Sequence, residues 1–217
     1  MDFRTSFHWR VFRIMSEFVD GWQSITDYKN TGSIMGSARF EESNQWYQEA
    51  RALGKLLAHA NIGVVTGGGP GIMEAGNRGA FESKGESVGI TIHLPMEQRT
   101  NPYLTRSQSF YYFFVRKVML FYTAQAYVFF PGGFGTLDEF FELVTLVQTH
   151  KIDRNTVPLI LVGREFWTPL LKYINDTVYE QYSAIDKDDM KLYHLVDTAQ
   201  EAYDIIIRYP PRKEVYY

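Results

Sequence analysis

Ala126-Tyr-Val-Phe-Phe130 runs directly into Pro131-Gly-Gly-Phe-Gly-Thr-Leu-Asp-Glu139, and the chain continues through Phe140 to Thr149. An apolar run of this length suits a buried strand, and the segment after the glycines has helical spacing. The join is therefore a strand-to-helix turn. Gly132, Gly133 and Gly135 let main-chain N–H groups come close to a ligand, and a helix start adds partial positive charge. Such a turn suits a phosphate. Asp138 and Glu139 are expected just inside the helix, where they repel a phosphate unless they point elsewhere, for instance at the sugar that carries it. An alternative stays open. Thr136 and Glu139 have the spacing of a capping box, in which both side chains satisfy free N–H groups at the helix start.

Upstream, Asn30 to Gly36 rises into a short strand, and Ser37-Ala38-Arg39 follows at its carboxyl end, where ligands gather in open parallel sheets. Arg39 either holds a phosphate or purine ring or pairs with Glu41 or Glu42. Ser43 to Ala60 is helical, with Ser43 as N-cap and Trp46, Leu53, Leu56 and Leu57 facing inward. Ile62 to Thr66 is a second strand. It enters another glycine-rich turn, Gly67-Gly68-Gly69-Pro70-Gly71, before a helix over Ile72 to Lys84. The spacing is not G-x-G-x-x-G, and no acidic residue ends a following strand, which disfavours a dinucleotide dehydrogenase. Glu74 either supports the helix dipole or reaches a ligand.

Ser87 to Ile92 is a third strand, and His93 to Ser109 is expected to be a long loop covering the site. Phe110 to Thr123 is apolar nearly all round, interrupted by Arg116 and Lys117, so its helix is either deeply buried or in a subunit contact. The charges there are either a structural ion pair or an arginine clamp on a phosphate or carboxylate. Past the central motif, a strand at Val157 to Val162, a helix at Glu165 to Tyr179, a polar loop at Tyr182 to Lys191, an edge strand at Leu192 to Val196 and a helix at Thr198 to Arg208 complete the pattern. Strands alternating with helices predict an α/β, doubly wound, Rossmann-like parallel sheet with helices on both faces. The expected organisation is an N-terminal helical extension over residues 1–29, with Trp9 to Trp22 at helical spacing, and one nucleotide-binding domain over 30–217.

At 217 residues the chain suits one sizeable core. With 22 basic and 25 acidic residues, and no basic cluster long enough to track a backbone, nucleic acid is not an expected partner. Zero cysteines exclude disulfides and thiolate metal sites and agree with a cytoplasmic setting. Neither a signal segment nor a membrane-spanning run is expected. The five histidines are scattered with no pair at ligand spacing, so no structural metal is expected.

Pro131 to Glu139, Arg116-Lys117, and Gly67-Gly-Gly-Pro-Gly-Ile-Met-Glu74 together resemble the LOG ("Lonely Guy") family. These are phosphoribohydrolases acting on nucleoside 5′-monophosphates, including cytokinin ribotides, and many were long labelled lysine-decarboxylase-like. The resemblance covers about residues 30 to 165. It implies a catalytic pair at Arg116 and Glu139, with Lys117 beside the arginine in the substrate pocket. It also implies a phosphate-binding turn at Gly132, Gly133, Gly135 and Thr136, next to Asp138. The second glycine turn falls on Gly67, Gly68, Gly69 and Gly71, and a pocket-lining glutamate on Glu97. The extra N-terminal helix and Gly-Pro-Gly-Ile-Met-Glu look like the longer bacterial group.

The reaction so implied is hydrolysis of the base–ribose bond of AMP or a cytokinin riboside monophosphate, with no cofactor. A carboxylate beside the anomeric carbon stabilises an oxocarbenium-like state, activates water, or does both. Two rivals remain: a non-catalytic nucleotide or phospho-ligand sensor using the same turns, and a decarboxylase requiring pyridoxal phosphate and Lys117. The aromatic load of Phe110 to Tyr122 and Phe140-Phe141 suggests a homodimer or higher homo-oligomer.

Overall fold

Successive side chains of Ala126 to Phe130 face opposite layers. Tyr127 and Phe129 enter one apolar core and Ala126, Val128 and Phe130 the other, all of them buried. This two-sided burial is what a central parallel strand requires, because crossover helices cover both faces of such a sheet. The computed structural model describes residues 7–26, 28, 30–93 and 100–210. Among them, seven strands form one sheet: β1 Thr31–Met35, β2 Gly63–Thr66, β3 Ser87–Ile92, β4 Arg106–Phe110, β5 Ala126–Phe129, β6 Leu159–Val162 and β7 His194–Val196. Their order is β4-β3-β2-β1-β5-β6-β7, and every pairing is parallel. The strand order reverses between β1 and β5, so the crevice at their carboxyl ends is the place where such sheets hold ligands.

Helices α1 Phe7–Ile25, α4 Phe113–Thr123, α5 Phe134–Gln148 and α6 Arg164–Tyr173 cover one face. Its core contains Met119, Phe129, Phe140 and Trp167, all fully buried. Helices α2 Gln45–His59, α3 Ile72–Glu82 and α7 Ala199–Ile206 cover the other face, around Ile34, Leu53, Leu57 and Ile72. Each large apolar side chain so buried contributes about 1.5–3 kcal/mol. No helix among the described residues is long and apolar enough to cross a membrane.

The α/β expectation holds, with local corrections. The stretch from His93 to Ser109 is not all loop. Arg106-Ser-Gln-Ser-Phe110 forms β4, an edge strand paired along β3 from Val88↔Arg106 to Ile92↔Phe110. Its outward residues are polar, as edge strands require, and that hid it from an apolar pattern. The cap of α2 is Asn44, whose side chain accepts from Trp46 N at 2.8 Å, in place of Ser43. After Tyr173 the chain widens into a π-helix over Ile174–Gln181, and Lys187–Lys191 is a 3₁₀ turn inside the expected polar loop. At Thr198 a capping box with Glu201 starts α7.

The N-terminal helix α1 packs on the domain. Its Glu17 carboxylate accepts from the N–H groups of Tyr111 and Tyr112 at 2.8 and 3.0 Å, which satisfies the N-cap donor of α4 and the one before it. Trp22 packs on Tyr122 with the rings tilted by 49° and 4.9 Å between centroids, and Gly21 lies against Met119. The opposite side of α1 exposes Phe7, Phe12, Met15 and Val19.

Candidate active site

Main-chain hydrogen bonds stitch three strand-end turns together. Ser37 N donates to Pro131 O at 3.0 Å, and Ile72 N donates to Ser37 O at 3.0 Å. The turn after β1 thus lies between the two glycine-rich turns. Gly71 has φ +71°, a conformation that favours glycine, and a Cβ there would lie 2.7 Å from the carbonyl carbon of Ala38.

Helix α5 begins at Phe134, upstream of the cap at Thr136 that the capping-box reading requires, with Gly133 as N-cap and no side-chain cap. The Thr136–Glu139 capping box is therefore not formed. Thr136 is buried in the first turn against Gly132, where a Cβ would come within 2.7 Å of Thr136 Cβ. Asp138 and Glu139 fall one turn further in, so the first turn of α5 carries no acid. Among the described residues the N–H groups of Gly133, Phe134, Gly135 and Thr136 have no acceptor. The repulsion expected between these acids and a bound anion is thereby relieved, since each carboxylate turns to a cation of α4.

Arg116 Nη1 meets Glu139 Oε1 at 3.2 Å, with the two side chains only 9% and 13% exposed. The guanidinium also donates from Nε to Ile90 O of β3 at 3.0 Å. It lies over Gly67, where a Cβ would collide with Nη2 and come within 2.8 Å of Met73 Sδ. Burial pushes the Glu139 carboxyl above the usual range, and the adjacent Arg116 charge only partly opposes it. A buried carboxyl held this way has a raised proton affinity yet keeps a cation to fix its orientation.

Lys117 turns to the other side of α5. Its amine binds Asp138 Oδ2 at 2.8 Å and also pairs with Glu142. Burial alone lowers the amine's proton affinity, but hydrogen bonds to Asp138 and Glu142 outweigh it and hold Lys117 above the ordinary lysine range. An amine that attacks a carbonyl must be neutral. Lys117 does not fit a pyridoxal phosphate site.

Gly133 and Gly135 face open space, with nothing within 4 Å of a built Cβ. Phe134 between them is 92% exposed. Arg39 is exposed at the end of β1 and forms no ion pair among the described residues, since Glu42 is taken by Arg51 and Arg78. Glu74 accepts from the Tyr47 hydroxyl at 2.9 Å, and burial followed by this carboxylate raises Tyr47 to about 12 despite the opposing Arg78. Glu97 lies outside the described residues.

Sequence reasoning overlooked Asn77 and Asn101. Asn77 is fully buried in α3, and Asn101 is 5% exposed where the chain returns toward β4. The available signal was an asparagine on the inward stripe of a helix, alongside Ile72, Ala75, Gly76 and Ala80, where its amide must find partners. Surface cavities of about 580 and 790 Å³ lie elsewhere. The first is lined by the π-helix and the larger by the carboxyl end of α5, and neither includes Arg116 or Glu139.

The family model described as "Possible lysine decarboxylase" matches residues 73–206. A cytokinin riboside 5′-monophosphate phosphoribohydrolase of Rhodococcoides fascians is 28% identical over 138 residues, covering 62% of this chain and 69% of that protein. The cytokinin riboside 5′-monophosphate phosphoribohydrolase LOG of Oryza sativa subsp. japonica is 29% identical over 184 residues, covering 83% of this chain and 73% of that protein. Among solved structures, the molybdenum cofactor binding protein from Rippkaea orientalis shares the fold, with a TM-score of 0.60 and 19% identity over 83% of this chain and 96% of that one. Because the matched segment spans well over half of the residues and carries both Arg116 and Glu139, the chain belongs to the LOG family, whose model bears the name "Possible lysine decarboxylase".

Proposed function

We propose that the protein hydrolyses the N-glycosidic bond of a nucleoside 5′-monophosphate, AMP or a cytokinin riboside monophosphate, to free base and ribose 5-phosphate. The carrying observation is the buried Arg116–Glu139 pair beside a helix start whose N–H groups have no acceptor. The 5′-phosphate binds the N–H groups of Gly133 to Thr136 and supplies remote binding energy that fixes the ribose. Glu139, as the carboxylate, faces the anomeric carbon. As the C1′–N bond breaks, its electron pair leaves with the base and positive charge grows on the ribose, which Glu139 stabilises. Water bonds to C1′ and gives a proton to Glu139, the base takes a proton from solvent in leaving, and Glu139 returns its proton to solvent to end the cycle ionised. Arg116 holds Glu139 in place from Ile90 O and the Gly67 turn.

The test is a panel of nucleoside monophosphates incubated with the parent and with Glu139→Gln, and chromatography for free base. The expected result is release by the parent and a loss of at least about a hundredfold in the variant, the scale of general acid–base catalysis. Equal rates would remove Glu139 from the chemistry. AMP binding without release by the parent would favour the sensor. We further propose that the protein acts in the cytoplasm as a homodimer or higher homo-oligomer. Exposed Tyr111, Phe113, Phe114, Phe134 and Phe141 support the assembly, and a solution mass equal to one chain would refute it.

A further inference from the structure

We infer that Asn101 is a positioning residue that sets the direction of the Gly68–Gly69 peptide and thereby presents its N–H to the phosphate-bearing half of the nucleotide. The inference rests on the function proposed above and names a residue that function did not use. Asn101 N donates to Gly68 O at 2.9 Å, and its Nδ2 donates to Gly69 O at 3.1 Å and to Asn77 Oδ1 at 3.0 Å. Its Oδ1 accepts from Tyr103 N at 3.1 Å, so every polar atom of the buried side chain is used.

Asn77 anchors the other end of the network. Its Oδ1 also accepts from Thr66 Oγ1 at 2.5 Å, while its Nδ2 donates to Ser87 Oγ at 2.8 Å. Thr66 Oγ1 in turn accepts from Gly68 N at 2.9 Å. Two adjacent peptides of the turn are therefore held from the inner side, one by its N–H and the next by its C=O.

A planar trans peptide carries its N–H opposite its C=O. With the Gly68 carbonyl drawn inward to Asn101, the Gly69 N–H must face the other way, out of the network. Among the described residues it has no acceptor. Glycine at 68 has φ +71° and could rotate easily without this hold, because no Cβ restricts it. The main-chain N–H of Asn101, seated by its side-chain bonds to Gly69 O, Asn77 Oδ1 and Tyr103 N, removes that freedom before any ligand arrives, which is how preorganisation raises affinity.

The test measures the affinities of AMP and adenosine by calorimetry for the full-length parent, Asn101→Ala and Asn101→Ser. Thr198→Ala, which removes the α7 cap near the opposite edge of the sheet, serves as a stability control. The parent should prefer AMP, and Asn101→Ala, which keeps the main-chain bond to Gly68 O but loses the side-chain bonds that seat it, should shrink that preference about tenfold, the scale of one hydrogen bond. Asn101→Ser keeps one donor and should fall between them. The control should lower Tm and leave the preference unchanged.

An unchanged preference in folded Asn101→Ala, or equal weakening of both ligands, would overturn the inference. If Asn101→Ala does not fold, the same comparison on Asn101→Ser decides it. A parent that binds AMP but releases no base would refute the hydrolase and leave the affinity ratio to decide the role of Asn101. A parent with no preference for AMP would overturn the inference directly.

Discussion

The two glycine-rich turns look alike in sequence and differ in what requires their glycines. In the turn after β2, a Cβ on Gly67 would strike Arg116, one on Gly68 would strike Thr91, and one on Gly71 would strike Ser37 and Ala38. Internal packing alone explains them. In the turn after β5, only Gly132 is constrained, by Thr136, while Gly133 and Gly135 border empty space. Gly67, Gly68 and Gly71 are glycine because the protein itself crowds them, whereas Gly133 and Gly135 keep room for something from outside. Arg116 connects them, resting on Gly67 and binding Glu139.

The harshest way to break this comparison is Arg116→Ala, which leaves Glu139 buried without its cation. A loss of about 3–5 kcal/mol is expected, the usual cost of breaking a buried pair, and thermal or urea denaturation measures it. Next is Gly67→Ala, where the guanidinium must move. We expect about 1–3 kcal/mol of destabilisation from the overpacked contact, together with a fall in base release that follows the displaced Glu139.

Gly135→Ala sharpens the contrast by splitting stability from binding. Inside the first turn of α5, with open space around it, alanine should stabilise by roughly 0.5 kcal/mol, because glycine is the poorer helix former. AMP affinity should nonetheless fall, about tenfold if the methyl group displaces one phosphate hydrogen bond. Lower stability with unchanged affinity would reverse the assignment of this turn. The smallest expected effect is in the pH profile. If the reaction needs ionised Glu139, kcat/KM should fall as pH drops through a value above the ordinary glutamate range, because burial raises that pKa. An acid limb at or below the ordinary value would contradict an ionised Glu139 as the required group.

Legibility followed physical cause. The central strands were readable because burial on both faces forces uninterrupted apolar runs such as Leu159 to Val162, while β4 was not, since an edge strand can be Arg-Ser-Gln-Ser. Arg116 and Glu139 stood out as charges beside apolar or glycine-rich segments, and the structure brings them together across 23 residues. The helix start was misplaced because Thr136 and Glu139 match a capping pattern, whereas the helix starts at Phe134 behind an N-cap of Gly133, a residue with no side chain to mark it. The Asn77–Asn101 bond was invisible because it spans 24 residues and neither asparagine has a local pattern that names its partner.

The clasp of Glu17 on Tyr111 has a consequence for the newborn chain. The two residues are 94 positions apart, so at about 5–20 residues per second the carboxylate leaves the ribosome roughly 5–20 s before the N–H groups it will hold. Throughout that interval α1 has neither its polar anchor nor the α4 surface that covers Gly21 and Trp22. The first helix to be made must wait for the fourth before it can dock, and until then its apolar side is a ready surface for a chaperone or for a neighbouring nascent chain.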